Sequence, residues 1–201
     1  VSNSTLSYYN QNAQSFSDST LNVDMSALYA EFLPHVTEHG HILDAGCGSA
    51  RDAAYFKKQG FTVSAFDASA ELAALASSYL QQPVDVKTFQ QLDCVNKYDA
   101  IWCCASLLHV PKAELPQVFL NLQNALKPNG VLYVSFKYGD TERVHNGRVF
   151  TDLTENGLTA LIDQHTQLKI IKQWQTVDQR PGRESEVWLN ALMQRLTSKG
   201  E

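Results

Sequence analysis

Chemistry concentrates first in Ile42-Leu43-Asp44-Ala45-Gly46-Cys47-Gly48-Ser49, where a short apolar run ends in an acid and two glycines bracket a cysteine. If the run is a strand and a helix follows, the glycine turn aims backbone N–H groups and a helix N-terminus at a ligand. Gly46 and Gly48 then let the ligand approach the backbone where a Cβ would collide. Asp67 lies 23 positions beyond Asp44 and closes the next apolar run. An acid about 20 residues past such a turn, at a strand end, suits paired hydrogen bonds to ribose hydroxyls. The bland alternative is an ordinary tight turn with a capping carboxylate; the order of strand, turn, helix, strand and acid weighs against it. A dinucleotide fingerprint would place a third glycine at position 51. This chain has Arg51 there, which disfavours NAD and FAD.

The elements that must position these residues follow from apolar spacing. Residues 42–45 read as a buried strand, 51–59 as a helix closed by Gly60, and 61–66 as a second strand. Ser69 is a natural N-cap for a helix through Leu72, Leu75 and Leu80. Residues 84–88 and 98–103 read as strands three and four. Pro111 opens a helix through Leu115, Val118, Phe119, Leu122 and Leu126, which Pro128-Asn129-Gly130 stops, and residues 131–136 form a fifth strand. Strands alternating with helices imply an α/β fold with a parallel sheet covered on both faces. The last third is less regular: 153–165 reads as a helix, 168–177 as a strand, and 187–196 as either. Two late strands joined by residues 178–183 would make a hairpin on the sheet edge. Ahead of all this, Met25, Leu28, Phe32 and Leu33 share helical spacing up to Pro34.

Composition bounds the rest. The chain has 201 residues, 44% hydrophobic and 18% charged, which suits one globular domain. A net charge of −5 argues against a nucleic-acid backbone binder, which needs basic charge. No apolar run approaches the ~20 residues of a spanning helix. Residues 1–16 are polar with no basic lead, so no signal peptide is expected. Cys47, Cys94, Cys103 and Cys104 show no CxxC or His/Cys ligand spacing, so no metal site is expected. Reduced thiols in the cytoplasm are the simple reading.

Asp44-Ala45-Gly46-Cys47-Gly48, Asp67, Tyr98-Asp99-Ala100-Ile101, Leu107-Leu108-His109-Val110 and Leu126-Lys127-Pro128-Asn129-Gly130, in this order, resemble the class I S-adenosylmethionine-dependent methyltransferases. The resemblance covers roughly residues 8–136, and Gly48-Ser49-Ala50-Arg51-Asp52 looks loosely like the tellurite-resistance-type and related small-molecule subgroup. It implies a Rossmann-like three-layer sandwich: a mostly parallel seven-stranded sheet with a final antiparallel hairpin, in a single domain. Residues 1–40 would be an N-terminal lid or helix and 41–201 the core. The cofactor implied is S-adenosylmethionine. On that resemblance Asp44, Gly46, Cys47 and Gly48 lie along its methionine moiety, Asp67 holds the ribose, and Ala68, Phe89 and Gln90 line the adenine pocket. Many members carry Asp where this chain has Gln90. Cys103 and Cys104 pass behind the sulfonium, and Arg51 either pairs with the methionine carboxylate or lies on the helix surface. Tyr8, Tyr9 and Phe16 fall in a segment similar to ones that close over the cofactor; they either flank the sulfonium or cover the core.

Methyl transfer needs alignment and water exclusion more than a base. His109 is the histidine beside the expected pocket; it is either a general base or a residue hydrogen-bonded at its loop, as the common Leu-His-Val string favours. Cys103-Cys104-Ala105-Ser106 replaces the Asn/Asp-Pro-Pro-Tyr/Phe string of amino-methylating enzymes, and neither cysteine has a cytosine-methylating context. No acidic metal cluster of the catechol type is found. A small-molecule acceptor is left. Acceptor candidates are Tyr8, Lys137, Tyr138, Arg143, Arg148, Phe150, Arg180, Arg183 and Trp188. The arginines either make a pocket for an anion or oxyanion of the tellurite type, or are paired, Arg183 with Glu184 or Glu186. Trp174 and Trp188 read as core. A non-catalytic S-adenosylmethionine-binding partner protein of the same fold is the alternative reading.

Overall fold

The computed structural model describes residues 1–180, 182–183 and 185–197. Seven strands form one sheet: β1 (His41–Ala45), β2 (Thr62–Asp67), β3 (Asp85–Val86), β4 (Tyr98–Cys103), β5 (Leu126–Lys137), β8 (Leu168–Val177) and β9 (Val187–Arg195). Their order is β3-β2-β1-β4-β5-β9-β8. The first five are parallel, and β9 runs antiparallel to both β5 and β8. The seven-stranded Rossmann-like sheet with its late hairpin is therefore present, and the ambiguous 187–196 segment is a strand.

Side chains alternate across the sheet, as the pleat requires. Ala100 and Trp102 of β4 and Val131 and Tyr133 of β5 pack on one face, with Tyr29, Phe32 and Phe56. Ile101, Cys103, Leu132, Val134 and Phe136 pack on the other. Trp102 and Tyr133 stack at 3.9 Å between ring centres. Helices α4 (Arg51–Lys58), α5 (Ala70–Leu80), α6 (Leu115–Ala125) and α7 (Glu155–His165) cover the faces. Ser69 caps α5 by accepting from the Leu72 N–H at 3.2 Å.

The stretch from Tyr8 to Phe16 is helical, lying in α1 (Asn3–Gln11) and α2 (Ala13–Thr20), which are followed by α3 (Ser26–Phe32). Two departures from the sequence reading matter. Pro128-Asn129-Gly130 does not separate a helix from a later strand; β5 starts at Leu126, and its register against β4 shifts between Tyr98 and Ala100 to absorb the turn. Finally, β6 (Glu142–His145) and β7 (Arg148–Thr151) form a separate two-stranded hairpin. Asn146 and Gly147 join them with φ of 49° and 74°, the paired left-handed residues of a type I′ turn. That Asn-Gly pair between Arg143-Val144-His145 and Arg148-Val149-Phe150 was the available sequence signal. Among the described residues no helix is long and apolar enough to cross a membrane.

Candidate functional site

The glycine turn sits where β1 ends and α4 begins. Gly46 and Cys47 both donate to the Phe66 carbonyl at 2.9 Å, which binds the turn to β2. Gly46, Gly48 and Ala50 all have left-handed φ (75°, 52° and 60°). A Cβ at Gly46 would stand 2.5 Å from the Ser106 Cβ. The freedom of Gly46 thus accommodates the loop after β4, whose Ser106 hydroxyl donates to the Ala45 carbonyl at 2.7 Å. Gly46→Ala is expected to cost about 2–4 kcal/mol, from left-handed strain and overpacking together. A urea-unfolding loss below about 1 kcal/mol would contradict this turn geometry.

Asp67 ends β2 with one carboxylate oxygen accepting from the Gly48 N–H and the other from the Ser69 N–H, each at 2.9 Å. Burial pushes its pKa up against those donors. Asp44 caps α4 through the Ala53 N–H at 3.0 Å, and burial, with the nearby Asp52 charge, raises its pKa well above the carboxylate range.

Two cavities meet at this turn. One of about 830 Å³ is lined by Asp44, Cys47, Ser49, Arg51 and Cys104 around the turn and by Lys137, Arg143, Arg148, Arg180, Arg183 and Trp188 from later in the chain. The other, about 70 Å³, is lined by Asp67, Ala68, Ser69, Phe89 and Leu72. Tyr9, Phe16, Gly46, Gly48, Ala105 and His109 line both. The small one has room for only a few waters, because α1 and α2 press onto the turn. The Phe16 ring lies 3.0 Å from where a Gly48 Cβ would be.

Five side-chain tethers hold these helices down. Thr5 accepts from the Val149 N–H (2.9 Å), Asn10 from the Ser69 hydroxyl (2.7 Å), the Thr20 hydroxyl bonds to that of Ser49 (3.1 Å), and the Thr20 carbonyl accepts from Arg51 (3.2 Å). The fifth joins Tyr9 to His109. The His109 Nδ1 lies 2.7 Å from the Val149 carbonyl, which can only accept, so Nδ1 carries the proton. Nε2 then accepts from the Tyr9 hydroxyl at 2.8 Å. Burial, with Arg148 nearby, lowers the His109 pKa to about 4. His109 is thus neutral near pH 7, and its one lone pair is engaged.

The remaining predicted residues divide. Phe89 is buried against Phe66, whereas Gln90 is exposed, donates to Glu114 at 2.6 Å, and lines neither cavity. A 3-10 turn over Phe89–Gln91 sends the two side chains apart. Cys103 is enclosed in the core, while Cys104 faces the large cavity. Burial raises both thiols, Cys104 to about 12, so neither is a thiolate near neutral pH. Arg51 is neither free nor a surface residue. It forks onto its neighbour Asp52 at 2.6 and 2.9 Å and reaches the Thr20 carbonyl at 3.2 Å. Lys137 bonds to Glu186, lies 3.6 Å from Asp178 and sits 4.1 Å over the Trp188 ring; burial lowers its pKa to about 8. Trp188 therefore borders the cavity as well as the core. Arg183 pairs with Glu186 at 3.8 Å; Glu184 lies outside the described residues. Tyr8 lines neither cavity but backs Arg148, whose guanidinium lies 4.3 Å from its ring centre.

The sequence model of the methyltransferase domain family matches residues 17–175. The chain belongs to that family. This methyltransferase domain is 36% identical over 100 residues to the ubiquinone biosynthesis O-methyltransferase of Rickettsia typhi, covering 47% of the chain and 39% of that relative. The chain thus spans about two fifths of the length of the curated relatives it matches. By structure, the domain is similar to Burkholderia thailandensis 1,6-didemethyltoxoflavin-N1-methyltransferase, solved with 1,6-didemethyltoxoflavin and S-adenosylhomocysteine bound. The TM-score is 0.75 at 23% identity, over 96% of this chain and 85% of that one. It is also similar to DhpI in complex with S-adenosylhomocysteine, with a TM-score of 0.68 at 19% identity over 97% of each chain.

Proposed function

We propose that this protein transfers the methyl group of S-adenosylmethionine to a small organic acceptor bearing an anionic group. The observation that carries the reading is the meeting of the two cavities at the Gly46-Cys47-Gly48 turn with Asp67 beside it. The donor set fits a nucleoside with a charged amino-acid tail. Asp67 would hold the ribose hydroxyls, with Ala68 and Phe89 against the base. Asp44, the glycine turn and the backbone at Cys104 would flank the methionine end. The cofactor would supply the electrophilic methyl group. The chain would align it and exclude water with α1 and α2, which must yield on the small-cavity side for the base to enter. With Nε2 taken by Tyr9, His109 is assigned to positioning that lid residue rather than to proton removal.

The cavity arginines support an anionic acceptor, tellurite-type oxyanions included in principle. The names of similar proteins, one an O-methyltransferase of ubiquinone biosynthesis and one acting on 1,6-didemethyltoxoflavin, favour an organic acceptor over tellurite. Calorimetric titration with S-adenosylhomocysteine, with NAD as control, tests the cofactor assignment. Micromolar binding of the first and none of the second is expected. Asp67→Ala should weaken that binding by roughly 1.5–3 kcal/mol, the worth of hydrogen bonds to a charged group. Unchanged affinity in a folded variant would remove Asp67 from the site, and no binding by the wild type would overturn the reading.

A further inference from the structure

Five arginines line the large cavity: Arg51, Arg143, Arg148, Arg180 and Arg183. Four have a carboxylate within 4 Å. Arg51 pairs with Asp52, Arg143 with Asp152, Arg180 with Asp178 and Arg183 with Glu186. Among the described residues Arg148 has none. Its guanidinium is held by rings instead, 4.3 Å from Tyr8, 5.1 Å from Phe150 and 5.9 Å from Tyr9. Its Nε is buried and, among the described residues, finds no hydrogen-bond partner.

A buried donor on a charged group is costly to leave unmet, so a water, an ion or a ligand group must answer it. The surroundings also preorganise the group. Aromatic faces hold the guanidinium plane by cation–π attraction, and although the Tyr9 hydroxyl also engages the group, its Nε–H is left unmet. The β6–β7 hairpin fixes its backbone: Val149, next in sequence, donates to Thr5 of α1 and accepts from His109. Tyr8 and Tyr9, whose rings flank it, belong to α1, the element that must shift for a nucleoside to enter. Movement of α1 would bare a half-buried arginine whose Nε is already out of water and whose plane is held by the rings.

We infer that Arg148 is the residue that recognises a carboxylate, or an equivalent oxyanion, on the methyl acceptor. The inference rests on the proposed function for the identity of the second ligand. A planar carboxylate matches the guanidinium fork with two parallel N–H donors, Nε–H among them. The remaining arginines are committed to acids of the chain, so acceptor specificity falls to this one.

The cofactor's own carboxylate is the rival occupant, and the experiment separates the two. The probe is benzoate, with neutral benzamide as its isostere. The readout is the Arg148 Nε–H resonance in nitrogen-15-labelled protein, assigned by its loss in Arg148→Gln. Benzoate is titrated with and without saturating S-adenosylhomocysteine, so a failure of cofactor binding is seen separately and still leaves the arginine decided. A saturable benzoate shift that survives S-adenosylhomocysteine, with no benzamide shift, is expected. Benzoate affinity, followed in the variants by calorimetric titration because they lack the resonance, should fall about tenfold or more in Arg148→Gln and be only partly restored in Arg148→Lys, which keeps the charge without the fork. Absence of a benzoate response, or an equal response to benzamide, overturns the inference. So does loss of the response on adding S-adenosylhomocysteine, together with weakened S-adenosylhomocysteine binding in Arg148→Gln. That pair of results would give Arg148 to the cofactor.

Discussion

Replacing Asp52 by Ala is expected to cost about 3–5 kcal/mol of folding stability, the cost of breaking a buried ion pair from one side. Asp52 is 6% exposed and accepts from four donors on three elements. These are the Arg51 Nε and Nη2, the Tyr29 hydroxyl at 2.5 Å and the Trp102 indole N–H at 2.8 Å. Burial alone would raise its pKa, but the Arg51 charge and these donors outweigh that and lower it. Without the carboxylate, Arg51 is left as a buried cation, and two further donors lose their acceptor. The effect reaches the site as well, because Arg51 also holds the Thr20 carbonyl at the end of α2. Urea unfolding should show a lower midpoint with an unchanged slope. A loss under about 1 kcal/mol would mean that Arg51 needs no partner. Arg51→Met in the same background should recover part of the loss, since an apolar replacement removes the stranded charge.

That network shows what was legible in the sequence and what was not. Apolar periodicity gave the five parallel strands and the helices between them, because both faces of a parallel sheet must be buried. The seventh strand and the late hairpin came from the family resemblance, since periodicity left 187–196 open. The glycine turn and Asp67 were legible too: their spacing is imposed by a strand–turn–helix–strand path within a short stretch of chain. Contacts between distant segments were not. Asp52 lies in the first turn of α4, and nothing in Arg51-Asp52 announces Tyr29 and Trp102 as partners 23 and 50 positions away. Gln90 lines neither cavity, and the sequence could not show this because a single 3-10 turn decides which way it faces. The β6–β7 hairpin was missed although Asn146-Gly147 marks it, since its strands are only four residues long and β6 is wholly exposed. It nonetheless carries Arg148 and ties α1 to His109.

Acidification should loosen that tie before it unfolds the sheet. His109 has a folded pKa of about 4 against 6.5 when free, so between these values the unfolded state binds more protons. Its contribution is therefore complete above pH ~6.5 and is lost as pH falls toward ~4, roughly 3 kcal/mol in all at about 1.4 kcal/mol per unit. Burial is the main cause, with Arg148 on β7 and the N-terminal ammonium adding repulsion and the Val149 carbonyl opposing it. Protonation makes Nε2 a donor, and the Tyr9 hydroxyl can then no longer donate to it. Asp44 and Asp67, raised by burial, run the opposite way and gain as pH falls, so global unfolding would mix the two signs. The local readout is amide hydrogen exchange in α1, corrected for intrinsic rates. Protection there should drop between pH 7 and 4.5 in the wild type, while core amides of β1 and β4 stay protected. In His109→Gln, α1 should be equally exchange-prone at both pH values, because no titrating group is left at the Tyr9 contact. A wild-type α1 whose protection is indifferent to pH would show that Thr5, Asn10 and Thr20 suffice to hold the lid, and that the Tyr9–His109 bond contributes nothing to its closure.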